Sequence, residues 1–281
     1  MTVRVVTDST CDLPEAVRRA AGVVTVPLRV HFQDEVFRDR VDISDAEFVS
    51  RLQSGRVPPS TSQPPPGEFE SVYRELLGDS RDEVVSVHIA SALSGTFSSA
   101  SIAAQTVDPA RIHVVDSRTV SLGTGFLVLE AVERAARGET AEEIVRYLET
   151  MPSRVGIICL LDTLRFLLLG GRIGKVRAML GTALSIKPVI ALGPDGSVVP
   201  VGRVRSRSAG VKRISELLAE HHPLARCGLI YVGAKEDALA LAERTQRTYP
   251  DMEILLDHAS PVLATHTGPG TIAYCYLEAG R

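Results

Sequence analysis

The sequence predicts an α/β protein of two domains. The first is an N-terminal α/β/α domain around a parallel sheet; the second is a C-terminal α/β domain around a mixed or antiparallel sheet. Three observations carry this reading. Short apolar strand patterns alternate with helix patterns through residues 1–152, and strands separated by helices at such spacing return parallel, with both faces of the sheet covered. The pattern changes near Met151-Pro152, and a turn-rich hairpin follows at 187–204. A chain of 281 residues, 44% hydrophobic and 23% charged, is also large enough to bury a core in each domain. The domains are placed at 1–152 and 153–281, with segment 60–80 free to pack with the second.

The elements follow in order. Val3 to Val6 is a strand, and Leu13-Pro14-Glu15 begins a helix with proline in a tolerated first-turn position. Val23 to Val30 reads as one strand. Ser44-Asp45-Ala46-Glu47 fits a capping box, which predicts a helix through about Leu52. Glu83 to Ile89 and Arg111 to Val115 are strands, followed by helices at Phe97 to Gln105 and Leu122 to Arg137. Thr140-Ala141-Glu142-Glu143 suits another cap, for a helix to Leu148. Beyond the boundary, Lys187 to Leu192 and Val198 to Val204 flank Gly193-Pro194-Asp195-Gly196 as a hairpin. Gly228 to Val232 and Glu253 to Leu256 are strands, and Ala209 to Glu220 and Asp237 to Arg247 are helices, which predicts a sheet with helices on one side.

Composition excludes several classes. A net charge of −3 lacks the basic excess of a nucleic-acid binder. Cys11, Cys159, Cys227 and Cys275 form no C-x-x-C pair and read as reduced structural thiols. The N-terminus reads as a strand rather than a signal peptide, and the strongest apolar run, Val155 to Leu161, stops at Asp162. A cytoplasmic location is expected.

Four loops carry small hydroxyl residues in positions where chemistry often sits: Thr7 to Thr10, Ser60 to Gln63, Ser91 to Thr96, and Thr265 to Thr271. Ser94 stands after a strand and just before a helix, where free N–H groups and the helix dipole favour an anion; the plainer reading is a helix cap. Thr61 reads otherwise as a turn residue ahead of three prolines, and His266 as a structural histidine beside Gly268-Pro269-Gly270. The basic stretch Arg172 to Arg177, with Arg203, Arg205 and Arg207, is either a solvated face or a docking surface for an acidic partner or phosphate. Sharper motifs fail. Gly268 to Ala273 matches G-x-G-x-x-A with only eight residues after it, Val176 stands where a Walker A loop needs Ser or Thr, and no G-x-S-x-G elbow is present.

Taken in order, these segments resemble the DegV family, fatty-acid-binding proteins that serve bacterial fatty acid kinases. The matching stretches are Thr7 to Pro14, Thr61-Ser62-Gln63-Pro64 with Gly67-Glu68-Phe69, and Leu93-Ser94-Gly95-Thr96-Phe97. Val115 to Arg118, Leu161 to Leu164, Gly170 to Ile173, Ile186 to Pro188, Val204-Arg205 and His266 to Ile272 complete them. Any one is weak; the ordered set spans the chain. Ala90 and Gly210 depart from the family's common serine and lysine-rich pattern.

The resemblance implies two α/β domains with a long-chain fatty acid between them. It assigns the carboxylate to Thr61, Ser94 and His266, with Ser62, Gly95, Thr96 and Thr267 as further headgroup contacts. Arg172 and Arg205 are assigned to partner or phosphate contact. The tail would enter an apolar tunnel, and the headgroup donors would carry no permanent counter-charge. The chain is then a lipid-binding carrier rather than an enzyme, with no cofactor or metal and at most transient membrane contact. Its partner is a separate ATP-dependent kinase that makes acyl phosphate for phospholipid synthesis. The rival reading is a serine hydrolase using Ser94 and His266, with Asp116 or Asp8 as orienter.

Overall fold

The computed structural model describes residues 2–55, 57–78, 80–179 and 186–280. The first part of the chain runs β1 (Val3–Asp8), α1 (Glu15–Ala20), β2 (Val24–Val26), β3 (Arg29–Phe32), β4 (Glu35–Arg38), α2 (Asp45–Ser54), β5 (Ser60–Ser62), α3 (Pro66–Leu77), β6 (Glu83–His88), α4 (Thr96–Val107), β7 (Ile112–Asp116), α5 (Leu122–Ala136) and α6 (Ala141–Leu148). The remainder runs β8 (Val155–Leu160), α7 (Arg165–Leu169), β9 (Lys187–Leu192), β10 (Val198–Val204), α8 (Arg207–Ala219), β11 (Leu224–Tyr231), α9 (Lys235–Thr248), β12 (Ile254–His258), α10 (Pro261–Thr267) and β13 (Ile272–Glu278).

Two α/β units result. The first holds a parallel sheet in the order β2-β1-β6-β7. Its strands alternate apolar residues to both faces. Val6 and Val84 meet Phe69 and Tyr73 of α3 and Ala100 of α4, while Val5 and Val85 face α5 and α6. The second unit holds a mixed sheet in the order β10-β9-β8-β13-β11-β12, antiparallel except for β11 with β12. α8 and α9 cover its outer face through Ile214, Leu218 and Leu241.

The inner face is not open, contrary to the sequence expectation of helices on one side. α5 touches β1 and β6 of the first sheet and β8, β11 and β13 of the second. Its first turns are buried all round from Leu122 to Val128, which explains an apolar run without a polar face. Small residues permit the approach. A Cβ at Gly125 would meet the Cys11 carbonyl and Leu13, and one at Gly228 of β11 would meet Leu122.

Val23 to Val30 divides into two strands. β2 stays in the parallel sheet, while β3 joins β4 and β5 in a small antiparallel sheet that sequence periodicity did not reveal. The break falls at Pro27-Leu28, where proline cannot donate to a ladder. Within segment 60–80, β5 touches α10, whereas α3 lies against the first sheet. Ser44 accepts from the Glu47 N–H as expected, but Glu47 turns to Arg51 instead of closing the box; Thr140 and Glu143 form both halves of theirs. No helix among the described residues is long and apolar enough to cross a membrane.

Replacing Gly228 by Ala is expected to cost ~1–3 kcal/mol, because the added methyl must displace Leu122 at the junction of the two units. A lowered urea midpoint at unchanged slope would register it.

Candidate functional site

A narrow cavity lies between the units. Its walls are mostly aliphatic, with Ile157 and Cys159 from β8, Ile190 from β9, Ile230 from β11 and Ala273 from β13 on the sheet side. These residues share a face because alternate positions of paired strands project together: Cys159 is registered opposite both Ile190 and Ala273. The space open to the centre of a water molecule is about 120 Å3.

The polar residues of the cavity come from segments far apart in sequence. Thr61 of β5, Ser94 before α4, His266 in the last turn of α10 and Arg172 after α7 all line it, as do Ser62 and Thr267. His266 therefore stands on a short helix rather than in a loop. The helical period of Pro261 to Thr267 was hidden by its brevity. Gly95 and Thr96 do not line the cavity. Gly95 is the N-cap of α4, packed under the Gln63 side chain, and Thr96 is buried behind Ser94. Arg205 is exposed between β10 and α8, away from the cavity lining.

The hydrogen bonds at this end have a direction. Thr61 Oγ1 lies 2.8 Å from His266 Nε2. His266 Nδ1 is buried without a partner and faces Gly170, where any Cβ would collide with the ring. An unpaired buried N–H costs more than an unpaired lone pair, so the network assigns the proton to Nε2, donating to Thr61. Burial, reinforced by the Arg172 guanidinium, lowers the His266 pKa to about 4 and keeps the ring neutral. The Thr61 hydroxyl proton is thereby left free to point into the cavity.

Ser94 has a parallel arrangement. Its Oγ lies 2.8 Å from Thr96 Oγ1 and 3.3 Å from the Thr96 N–H, so it accepts from the helix start and can donate its own proton elsewhere. Ser94 stands one residue before the N-cap, so it bonds the first helical N–H and lines the cavity without being the cap itself. Ser62 is held differently, 2.8 Å from His31 Nε2, and Thr267 Oγ1 donates back to the Leu263 carbonyl within α10.

Arg172, assigned from the resemblance to partner or phosphate contact, forms part of the cavity wall. Its Nε donates to the Leu93 carbonyl at 3.2 Å and its Nη1 to the Gly170 carbonyl at 2.6 Å, which joins the Ser94 loop to the loop under His266. No described carboxylate pairs with it. A cation therefore stands at a polar end expected to hold only uncharged donors. Gln63 and Ser121 also line the cavity and escaped the sequence reading; their flanking motifs were the available signal. Arg207, grouped with the basic stretch, is instead tied to Asp162, Asp237 and the Gly270 carbonyl.

The hydrolase arrangement does not form. His266 Nε2 meets Thr61 rather than Ser94, while Asp8 bonds His88 at 3.0 Å and Asp116 accepts from the Ser91 and Arg118 amides. A Ser–His–Asp chain does exist elsewhere: Ser86 lies 2.7 Å from His88 Nε2, and Tyr73 donates to Ser86. Every member is buried in the first sheet without exposure, away from the cavity.

Proton NMR is expected to show the His266 ring titrating near 4. With its unfolded value near 6.5, the unfolded chain binds the extra proton between those limits, so stability falls as pH drops through that window. His266→Gln should flatten that part of the stability profile.

The whole chain has known relatives. Residues 2–279 match the family model described as uncharacterised protein, DegV family. A DegV domain-containing protein of Deinococcus radiodurans is 38% identical over 278 residues, covering 97% of each chain. Two solved structures share the fold. One, reported as showing fatty acid binding of a DegV family protein from Thermus thermophilus, has 37% identity and a TM-score of 0.92, covering 99% of this chain and 100% of that one. The other, described as DegV, a fatty acid binding protein from Bacillus subtilis, has 34% identity and a TM-score of 0.89 over the same shares. By sequence and by fold, this chain belongs to the DegV family.

Proposed function

We propose that the protein binds one long-chain fatty acid, with the tail in the apolar cavity and the carboxylate at its polar end. The observation that carries this reading is the Thr61–His266 hydrogen bond at the polar end of a mostly aliphatic cavity. It leaves a hydroxyl proton aimed where an anionic head would lie, and Ser94 offers a second. The fatty-acid binding described for the Thermus thermophilus and Bacillus subtilis relatives supports it.

The energetics divide in two. A carboxylate leaving water costs several kcal/mol unless donors replace its hydration. Thr61 and Ser94 supply two charge-assisted bonds, Arg172 adds a cation beside them, and His266 stays neutral behind Thr61. The tail contributes the larger share: about fifteen methylenes at ~0.8 kcal/mol each give an upper bound near ~12 kcal/mol. Ser62 and Thr267 border the same head region, whereas Gly95 and Thr96 act through the turn that holds Ser94.

In this reading the loaded protein presents its ligand to a separate ATP-dependent fatty acid kinase, which phosphorylates the carboxylate to an acyl phosphate for phospholipid synthesis. Arg172 contacts the headgroup and later its phosphate. The exposed Arg205 serves partner docking.

Thr61→Ala and Ser94→Ala should each weaken binding about tenfold, the loss of one hydrogen bond to a charged group, without unfolding the chain. Native mass spectrometry reads the occupancy, and undiminished lipid in the double variant would refute the assignment. Arg205→Ala should leave occupancy intact and slow acyl phosphate formation by an added kinase; equal rates at saturating lipid would remove it from docking.

A further inference from the structure

Away from the polar mouth, one buried carboxylate touches both walls of the cavity. Asp12 follows β1 and has no solvent exposure. Its Oδ2 accepts a 2.7 Å hydrogen bond from the hydroxyl of Ser121, the N-cap of α5 and itself part of the cavity lining. Its Oδ1 accepts a 2.9 Å bond from the backbone N–H of Ser260, the N-cap of α10. α10 supplies the facing wall through Val262, Leu263 and His266. Arg40 Nη2 stands 3.8 Å from the same oxygen and donates to the His258 carbonyl, two residues before Ser260.

The backbone points to the same place. Among the described residues, five non-glycine positions have positive φ, and three of them are Asp12 at 49°, Arg40 at 57° and Ser121 at 59°. Such conformations are unfavourable for L-residues and persist where the surroundings impose them. Here three meet around one carboxylate. Burial pushes the Asp12 carboxyl up to about 7 against the pull of Arg40, Ser121 and Ser260, so the fold keeps this acid in place at a cost.

We propose that Asp12 is a positioning residue for the acyl chain: by tying the start of α5 to the start of α10, it sets the spacing of the two walls between which the chain lies. The inference rests on the fatty-acid reading above. It differs in consequence from a headgroup contact. Loss of a head donor weakens every acid alike, whereas a change in wall spacing acts on each methylene in the slot and grows with chain length.

The test compares hexadecanoic and octanoic acid binding to wild type, Asp12→Ala and Asp12→Asn by calorimetry. Hydrogen exchange of the α10 amides is followed without ligand. Asp12→Ala should weaken hexadecanoate about tenfold and octanoate less than about twofold, with faster exchange in α10. Asn can accept from the Ser260 N–H and donate to Ser121, so it should return hexadecanoate binding to within about threefold. Equal losses at both lengths, unchanged hexadecanoate binding, or no rescue by Asn would each overturn the proposal. Should Asp12→Ala fail to fold, Ser121→Ala removes one half of the tie and carries the same length comparison. If wild type binds neither acid, the fatty-acid reading fails on its own; the exchange data then decide the tie, and unchanged α10 exchange sinks it.

Discussion

α5 is packed between two sheets, and its approach to both depends on residues without side chains at the closest points. Gly125 lets it settle against the loop after β1, and Gly228 lets Leu122 settle against β11. The helix thereby belongs to neither unit alone. It holds the two sheets at a fixed separation, and the cavity is the space left beside its N-terminus, where α10 rather than α5 fills the gap. Apolar packing of this density resists a one-methyl change, which is why the separation is a property of the fold and not of a flexible linker.

Electrostatics at the polar end follow from the same enclosure. A histidine in water would be partly protonated near neutral pH, but burial and the neighbouring Arg172 hold His266 neutral. Its single N–H then orients Thr61, and the Thr96 backbone N–H donates to the Ser94 oxygen in the same sense. Two hydroxyls whose oxygens are already occupied present protons to the cavity without rearrangement. Arg172 provides the positive charge, fixed through backbone carbonyls instead of a competing carboxylate. Preorganised donors beside a single cation suit a monoanion better than a neutral head.

Two buried acids of the Thr7 to Pro14 segment divide their work. Asp8 accepts from Thr10, His88 and the Ile89 N–H; burial opposes ionisation, yet these partners outweigh it and hold its pKa below the usual carboxylate value. It joins β1 to β6 inside one sheet. Asp12, four residues on, reaches across to α10 in the other unit. The four cysteines are all buried free thiols, and burial pushes Cys11, Cys227 and Cys275 up to about 12, in keeping with a packing role.

The sequence by itself determined most of the element order, because strand and helix periodicity, the Thr140 cap and the Gly193 to Gly196 turn are local signals that need no tertiary partner. It also singled out Thr61, Ser94 and His266, since small hydroxyls and glycine-flanked histidines stand out against an aliphatic background. Their roles came from resemblance, not from spacing. Only the tertiary structure decided which of these residues share a surface. The split of Val23 to Val30, the helix under His266 and the exposure of Arg205 outside the cavity depend on contacts made by residues tens to hundreds of positions apart. Arg172 shows the reason most clearly: a charged residue in a glycine loop looks solvated in sequence, and only the packing of Leu93 and Gly170 around it turns that charge inward.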